Sequence, residues 1–281
     1  MIVNGREIAQ KIFNDLKKRV GKLKEKNVTP HLHIITLTTD SASQAYVGQK
    51  KLKGGEIGAK ITVENLSPNT KTDELLRMIN KLNNDQGVHG IIIQRPIPQH
   101  IDESLIANSI NPKKDVDGFH PSSSFSPPVG LSALKILEKI YALTPGVDAR
   151  TDFDKWIKSK RITVIGKGVT AGRPIIKTLN KIGIEPKVIS SKTENKEEIL
   201  KNSDIIICAV GKANVIKKSD IKKGVILVGV GMYRGKDEKF HSDYEEENIK
   251  NTASFYTPTP GGVGPVNVAM LLLNLIKAAE A

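Results

Sequence analysis

The chain has 281 residues, 38% hydrophobic and 26% charged, which is the balance of a globular protein with room for one large or two ordinary domains. Its net charge of +13 is spread over the whole chain and mixed with acids, as at Lys22-Leu23-Lys24-Glu25-Lys26. With no basic tail and no aromatic–basic signature, it reads as a surface that attracts small anions, and no nucleic-acid partner is expected. No apolar run approaches the roughly 20 residues of a bilayer span, and the first residues carry no basic-then-apolar leader, so a cytoplasmic protein without a membrane partner is expected.

The spacing of Ile8, Ile12, Leu16, Val20 and Leu23 predicts a helix over residues 5–26, with Asn4 as its cap. A strand follows over 31–38. His31 and His33 alternate along it as structural histidines do, and no metal site is expected. Next come a helix over 43–57 ending at Gly58, a strand over 60–65, a helix over 72–83 and a buried strand over 88–94. Strands alternating with helices predict a mostly parallel sheet covered on both faces.

A Ser- and Pro-rich loop at 121–128 separates a second alternating series. It comprises a helix over 130–141, a strand over 161–165, a helix over 173–182, a strand over 187–189 and a short helix over 196–201. Strands follow over 204–210 and 225–230, with a last one over 253–257. The single cysteine, Cys208, falls in an apolar strand and cannot make an internal disulfide, as expected of a reduced cytosolic protein. An apolar helix over 266–279 is expected to return to the first domain.

The strand ending at Ile165 runs into Gly166-Lys167-Gly168-Val169-Thr170-Ala171-Gly172 and then a helix. That order is the context of a dinucleotide fingerprint, here one residue longer than the common form. The glycines let the backbone approach a pyrophosphate, which the helix N-terminus favours. A tight structural turn is the alternative. The next strand ends 24 residues further on, at Ile189, where an acid would bond the ribose of NAD. Here stand Ser190, Ser191, Lys192 and Thr193. With Lys167 they suit a 2′-phosphate, so NADP is expected, with NAD as the alternative.

Three segments of the first half carry chemistry. In Ala42-Ser43-Gln44-Ala45-Tyr46-Val47-Gly48-Gln49-Lys50, Tyr46 and Lys50 share a helix face. A lysine in a cleft can handle protons, and otherwise it is a solvated helical lysine. Gln94-Arg95-Pro96-Ile97-Pro98 follows a buried strand at the sheet end where ligands bind. Lys114-Asp115-Val116-Asp117-Gly118-Phe119-His120-Pro121 holds two carboxylates that also suit turn formation.

Taken with Thr257-Pro258-Thr259-Pro260-Gly261-Gly262-Val263-Gly264-Pro265, these motifs resemble the bifunctional methylenetetrahydrofolate dehydrogenase/methenyltetrahydrofolate cyclohydrolase (FolD) family over nearly the full length. The resemblance implies an α/β fold of two domains. Residues 1–121 would form the folate-binding catalytic domain, completed by a helix within 262–281. Residues 122–261 would form a Rossmann-like NADP-binding domain, with folate in the cleft. It also implies a homodimer, NADP-dependent oxidation of methylenetetrahydrofolate and hydrolysis of the methenyl product.

Carried over by matching residues, Lys50 is the catalytic lysine, Gln94 the residue that tunes it, and Asp117 the carboxylate on the pterin amino edge. Tyr46 stacks on the folate. Ser43, Pro96, Gly261, Gly262 and Pro265 belong to the substrate site. Gly166, Lys167, Gly168, Thr170, Gly172, Ser190, Ser191 and Lys192 belong to the cofactor site.

The chain departs from the family in four places. Phe125-Ser126-Pro127-Pro128-Val129-Gly130 replaces a proline-cysteine-threonine-proline segment. Lys167-Gly168 replaces arginine-serine, Gly229 replaces an aspartate, and Asn267 replaces a threonine. A dehydrogenase without useful cyclohydrolase activity, an NAD-preferring enzyme and a basic nucleic-acid-binding protein are the rival readings.

Overall fold

The computed structural model describes residues 1–146 and 152–281. In chain order the elements are α1 (Gly5–Glu25), β1 (His31–Thr36), α2 (Ser41–Glu56), β2 (Lys60–Asn65), α3 (Thr72–Asn84), β3 (Gly90–Gln94), α4 (Glu103–Ser109), α5 (Pro128–Leu143) and α6 (Phe153–Lys158). There follow β4 (Ile162–Ile165), α7 (Gly172–Lys181), β5 (Lys187–Ile189), α8 (Lys196–Asn202), β6 (Ile205–Cys208), β7 (Ile226–Gly229), β8 (Met232–Arg234), β9 (Phe240–Ser242), α9 (Glu246–Ile249), β10 (Phe255–Tyr256) and α10 (Val263–Glu280).

The chain divides into two units. One comprises Gln10–Pro128 and Val268–Ala281, the other Met1–Ala9 and Val129–Asn267. The first holds a parallel three-stranded sheet of order β2-β1-β3. Every residue of β1 and β3 is buried, which is why β3 reads as a run of Ile, while in β1 the buried His31 and His33 bond to Thr62 and Glu64 of β2. Leu75, Ile79 and Leu82 of α3 pack with Ile91 and Ile93 of β3 and with Ile106 of α4.

The short helix α4 has no counterpart in the sequence expectations. Seven residues are too few for a clear 3.6 period. Its only local sign is Asp102, whose side chain accepts from the Ser104 and Leu105 amides as an N-cap does.

Helix α10 is 18 residues long and apolar enough, by length and composition, to cross a bilayer, longer than the run read from sequence. Its Leu271, Leu272, Leu275 and Ile276 are buried within the protein, as in the central helix of a folded core. Its one deeply buried amide has a specific task. Asn274 Nδ2 donates to the Val116 carbonyl at 2.9 Å and to the Ser126 carbonyl at 3.0 Å, tying the Asp117 loop to the segment 125–130. Asn274→Leu would remove both bonds and take this donor from the buried Val116 carbonyl, at a cost of about 1–3 kcal/mol. The expected result is a lower urea midpoint for the first unit, and an unchanged midpoint would show these bonds to be dispensable.

The second unit holds a parallel five-stranded sheet of order β10-β7-β6-β4-β5. From β4 the chain builds outward to β5 and then returns to lay β6 on the other side of β4. The C-terminal ends of β4 and β6 therefore flank the topological switch point, where open α/β sheets bind ligands. The β8–β9 hairpin is antiparallel and too short to show in the pattern.

The first nine residues belong to this second unit, whereas the sequence limits put them with residues 1–121. The reason is backbone pairing: the Val3 amide donates to the Tyr256 carbonyl at 2.8 Å and the Tyr256 amide to the Met1 carbonyl at 3.0 Å. Likewise the division near the middle falls at the start of α5, not at residue 121. Loop 121–128 stays with the first unit because Ser126 is held by Asn274.

Candidate active site

Asp40 fixes the entry to α2 by accepting from the Ser43 amide at 2.8 Å. The helix then places Tyr46 and Lys50 one turn apart. Lys50 is buried, at 5% exposure. Its Nζ lies 5.0 Å from the centroid of the Tyr46 ring and donates to Gln94 Oε1 at 2.8 Å. Gln94 is the last residue of β3, and its Nε2 donates to the Arg95 carbonyl at 2.9 Å. That bond turns the amide so that its oxygen faces the lysine. Ser43 Oγ donates to the same carbonyl at 3.2 Å. Burial lowers the pKa of Lys50, and the Asp117 charge opposes this only in part.

The two carboxylates of the 114–121 motif separate cleanly. Asp115 is buried and accepts from the Gly118 amide at 3.1 Å and the His120 amide at 2.8 Å, so it is the turn former. Asp117 accepts no hydrogen bond from any of the described residues. Burial pushes its pKa up and so does Asp115, while Lys50 and Arg95 pull it down. A partly enclosed carboxylate without a protein donor is costly unless a ligand supplies one.

Arg95, which the sequence reading passed over, stands beside it. Its guanidinium carbon lies 4.1 Å from the Phe119 ring centroid, and Nη1 pairs with Glu103. Pro96 follows it, exposed. A buried amine, an aromatic face and an acceptor-rich carboxylate together suit a flat heteroaromatic ligand with an amino edge.

In the second unit, the loop after β4 is built by two glycines. A Cβ on Gly172 would lie 2.1 Å from the Gly166 carbonyl oxygen, and one on Gly166 would lie 2.6 Å from the Ala209 oxygen. Gly168 has nothing within 4 Å of its Cβ position, so its backbone is open to an approaching group. Helix α7 has no side-chain N-cap, leaving its first-turn amides to serve an anion. The loop therefore fits a pyrophosphate.

Lys167, Gly168 and Thr170 are exposed around it, as are Ser191 and Lys192 beyond β5. The Ser190 amide donates to Thr193 Oγ1 at 2.9 Å. Lys196, a further cation at this end, donates to the Ser191 carbonyl at 3.1 Å.

Gly261, Gly262 and Pro265 also lie in the second unit. A Cβ on Gly5 would lie 1.7 Å from the Gly262 oxygen, so this loop rests on the start of α1. Pro265 sits in the first turn of α10, where no amide is missed.

The structure has no room for a side chain at residue 229. A Cβ there would lie 2.7 Å from Ser242 Oγ and 2.9 Å from the Tyr244 hydroxyl. That hydroxyl donates to the Thr257 carbonyl at 2.7 Å, and the Gly229 amide donates to Thr257 Oγ1 at 2.8 Å. Tyr244 occupies the space a side chain at 229 would need.

Residues 3–117 match the family described as tetrahydrofolate dehydrogenase/cyclohydrolase, catalytic domain, and residues 150–281 match its NAD(P)-binding domain. The chain belongs to the tetrahydrofolate dehydrogenase/cyclohydrolase family. Among its relatives, the bifunctional protein FolD of Ligilactobacillus salivarius is 36% identical over 280 residues, covering 99% of this chain and 96% of the relative. The FolD protein of Acetivibrio thermocellus is 37% identical over 288 residues, with the same two coverages.

The crystal structure of the bifunctional enzyme FolD from Campylobacter jejuni superposes with a TM-score of 0.90 at 35% identity, covering 100% of this chain and 98% of that one. The Trypanosoma brucei FolD structure, complexed with NADP cofactor and inhibitor, gives 0.89 at 26% identity, with 100% and 97% covered. Family membership makes the three-stranded unit the catalytic domain and the five-stranded unit the NAD(P)-binding domain of this dehydrogenase/cyclohydrolase.

Proposed function

We propose that this chain oxidises 5,10-methylenetetrahydrofolate with NADP⁺ and hydrolyses the resulting 5,10-methenyl compound to 10-formyltetrahydrofolate. The observation that carries the reading is the Lys50–Gln94 bond at 2.8 Å beside a carboxylate, Asp117, that has no donor among the described residues. Asp117 takes the amino edge of the pterin, Tyr46 stacks on the ring, and Ser43 and Pro96 shape its pocket.

Lys50, with its ammonium form penalised by burial, accepts the proton that leaves the attacking water. Gln94 sets where that amine points. NADP⁺ bound at the glycine loop would supply the hydride acceptor for the methylene bridge. For that step the protein contributes orientation: Gly166, Gly168 and Gly172, with Thr170 in the same loop, would admit the pyrophosphate, and Lys167, Ser190, Ser191 and Lys192 would hold the 2′-phosphate. Gly261, Gly262 and Pro265 are assigned to folate binding by the match of their motif.

The same reading makes the protein a cytoplasmic homodimer with no nucleic-acid or membrane partner, which sedimentation at micromolar concentration tests for the dimer. The deciding experiment follows the absorbance of methenyltetrahydrofolate with the purified protein. Decay without cofactor, and formation from the methylene compound only with NADP⁺, are expected. Failure of both would refute the reading.

Cofactor choice yields its own prediction. Lys167 is exposed in the glycine loop, and no acid stands among residues 190–193. A charge-assisted contact to the 2′-phosphate contributes about 1.5–3 kcal/mol. Lys167→Glu should therefore raise the Michaelis constant for NADP⁺ about ten- to hundredfold more than that for NAD⁺. Equal weakening of both cofactors would show that Lys167 does not read that phosphate.

A further inference from the structure

Asp243 has no part in the chemistry above, yet it is completely buried and its carboxylate is fully engaged. Oδ1 accepts from the Gly211 amide at 2.6 Å and the Lys212 amide at 2.9 Å, and Oδ2 accepts from the Val210 amide at 3.1 Å. Its backbone carbonyl accepts from the Val215 amide at 2.8 Å. One residue thus gathers the chain that leaves β6. Bonds from amides to an ionised carboxylate are among the stronger hydrogen bonds in proteins, and three consecutive donors leave the loop little freedom.

That loop faces the cofactor crevice. It leaves β6 at the switch point beside β4, and the Ala209 carbonyl is so close to Gly166 that a Cβ there would be only 2.6 Å from it. Val210 and, on the glycine loop, Val169 keep more than a third of their surface exposed. Two bare aliphatic side chains at the mouth of a crevice suit the faces of a dinucleotide's rings.

We propose that Asp243 is a positioning residue for the dinucleotide. By holding residues 210–212 from behind, it keeps the second wall of the crevice in its binding form, so that the cofactor need not order the loop when it binds. The proposal rests on the reading that this crevice takes NADP⁺.

Asp243→Asn tests it with little change of shape. An amide oxygen can serve one side of the cradle, but its NH2 group opposes the amides on the other. Three measurements on the full chain decide the matter: NADP⁺ affinity by calorimetry, amide hydrogen exchange at residues 210–212, and methenyltetrahydrofolate hydrolysis without cofactor. The expected result is an NADP⁺ dissociation constant at least tenfold higher, faster exchange confined to the loop, and hydrolysis within twofold of the parent protein.

Unchanged NADP⁺ affinity with a released loop overturns the proposal. So does a parallel loss of hydrolysis and affinity, which marks a general structural role. If Asp243→Asn does not fold, Asp243→Glu, which keeps the charge but displaces the oxygens, is measured in the same way against the same outcomes. If the parent protein itself binds no NADP⁺, the reading of the crevice fails, and the role of Asp243 with it.

Discussion

Lys50→Met is expected to reduce hydrolysis of methenyltetrahydrofolate by at least about a hundredfold, since a positioned acid–base group contributes roughly 10²–10⁴-fold. Hydride passes between two carbons without a proton acceptor, so NADP⁺ reduction should lose much less. Methionine keeps most of the apolar stem that the buried site accommodates, so α2 and the Tyr46 face should survive.

The pH profile supplies an independent check. Burial lowers the pKa of Lys50, so the neutral amine is populated at lower pH than for a solvated lysine. Below that lowered pKa the base is protonated, and above it the base is free. Hydrolysis should therefore rise with pH through that value and then level off, and Lys50→Met should lack the rise. Undiminished hydrolysis in the variant would remove Lys50 from the mechanism.

The second large effect concerns Asp117. Its carboxylate has no hydrogen-bond donor to lose among the described residues, so Asp117→Asn should fold normally while folate binding loses a charge-assisted pair worth about 1.5–3 kcal/mol. The Michaelis constant for folate should rise about ten- to hundredfold, with NADP⁺ affinity unchanged. Burial raises the pKa of Asp117, so its protonated form appears at a higher pH than for a free aspartate. In the parent protein, folate affinity should fall as pH drops through that value, and in Asp117→Asn this acid limb should vanish. A variant with parental folate affinity would return Asp117 to the role of a turn residue. The corresponding change at Asp115 should instead lower stability, because Asp115 holds the Gly118 and His120 amides.

Much of this protein was legible in the chain itself. The alternation of apolar runs marked the order of its main strands and helices, because buried parallel strands must be continuous runs of Ile, Val and Leu and their covering helices must be apolar every third or fourth residue. The glycine loop after Ile165 was legible for the same kind of reason, since only glycine tolerates a neighbour's carbonyl at Gly166 and Gly172. Lys50, Gln94 and Asp117 stood out through their motifs.

What the tertiary structure decided are matters of pairing between distant segments. Which of Asp115 and Asp117 is spent on its own turn depends on amides placed by folding. Nothing in the apolar run over 266–279 marks Asn274 for a task, because its partners, Val116 and Ser126, lie 158 and 148 residues away in sequence. Gly229 looked like a lost side chain until Tyr244, 15 residues later, was found in its place. Asp243 carries no motif at all. Its role comes from three backbone amides more than 30 residues away in sequence, and backbone donors leave no mark on residue type.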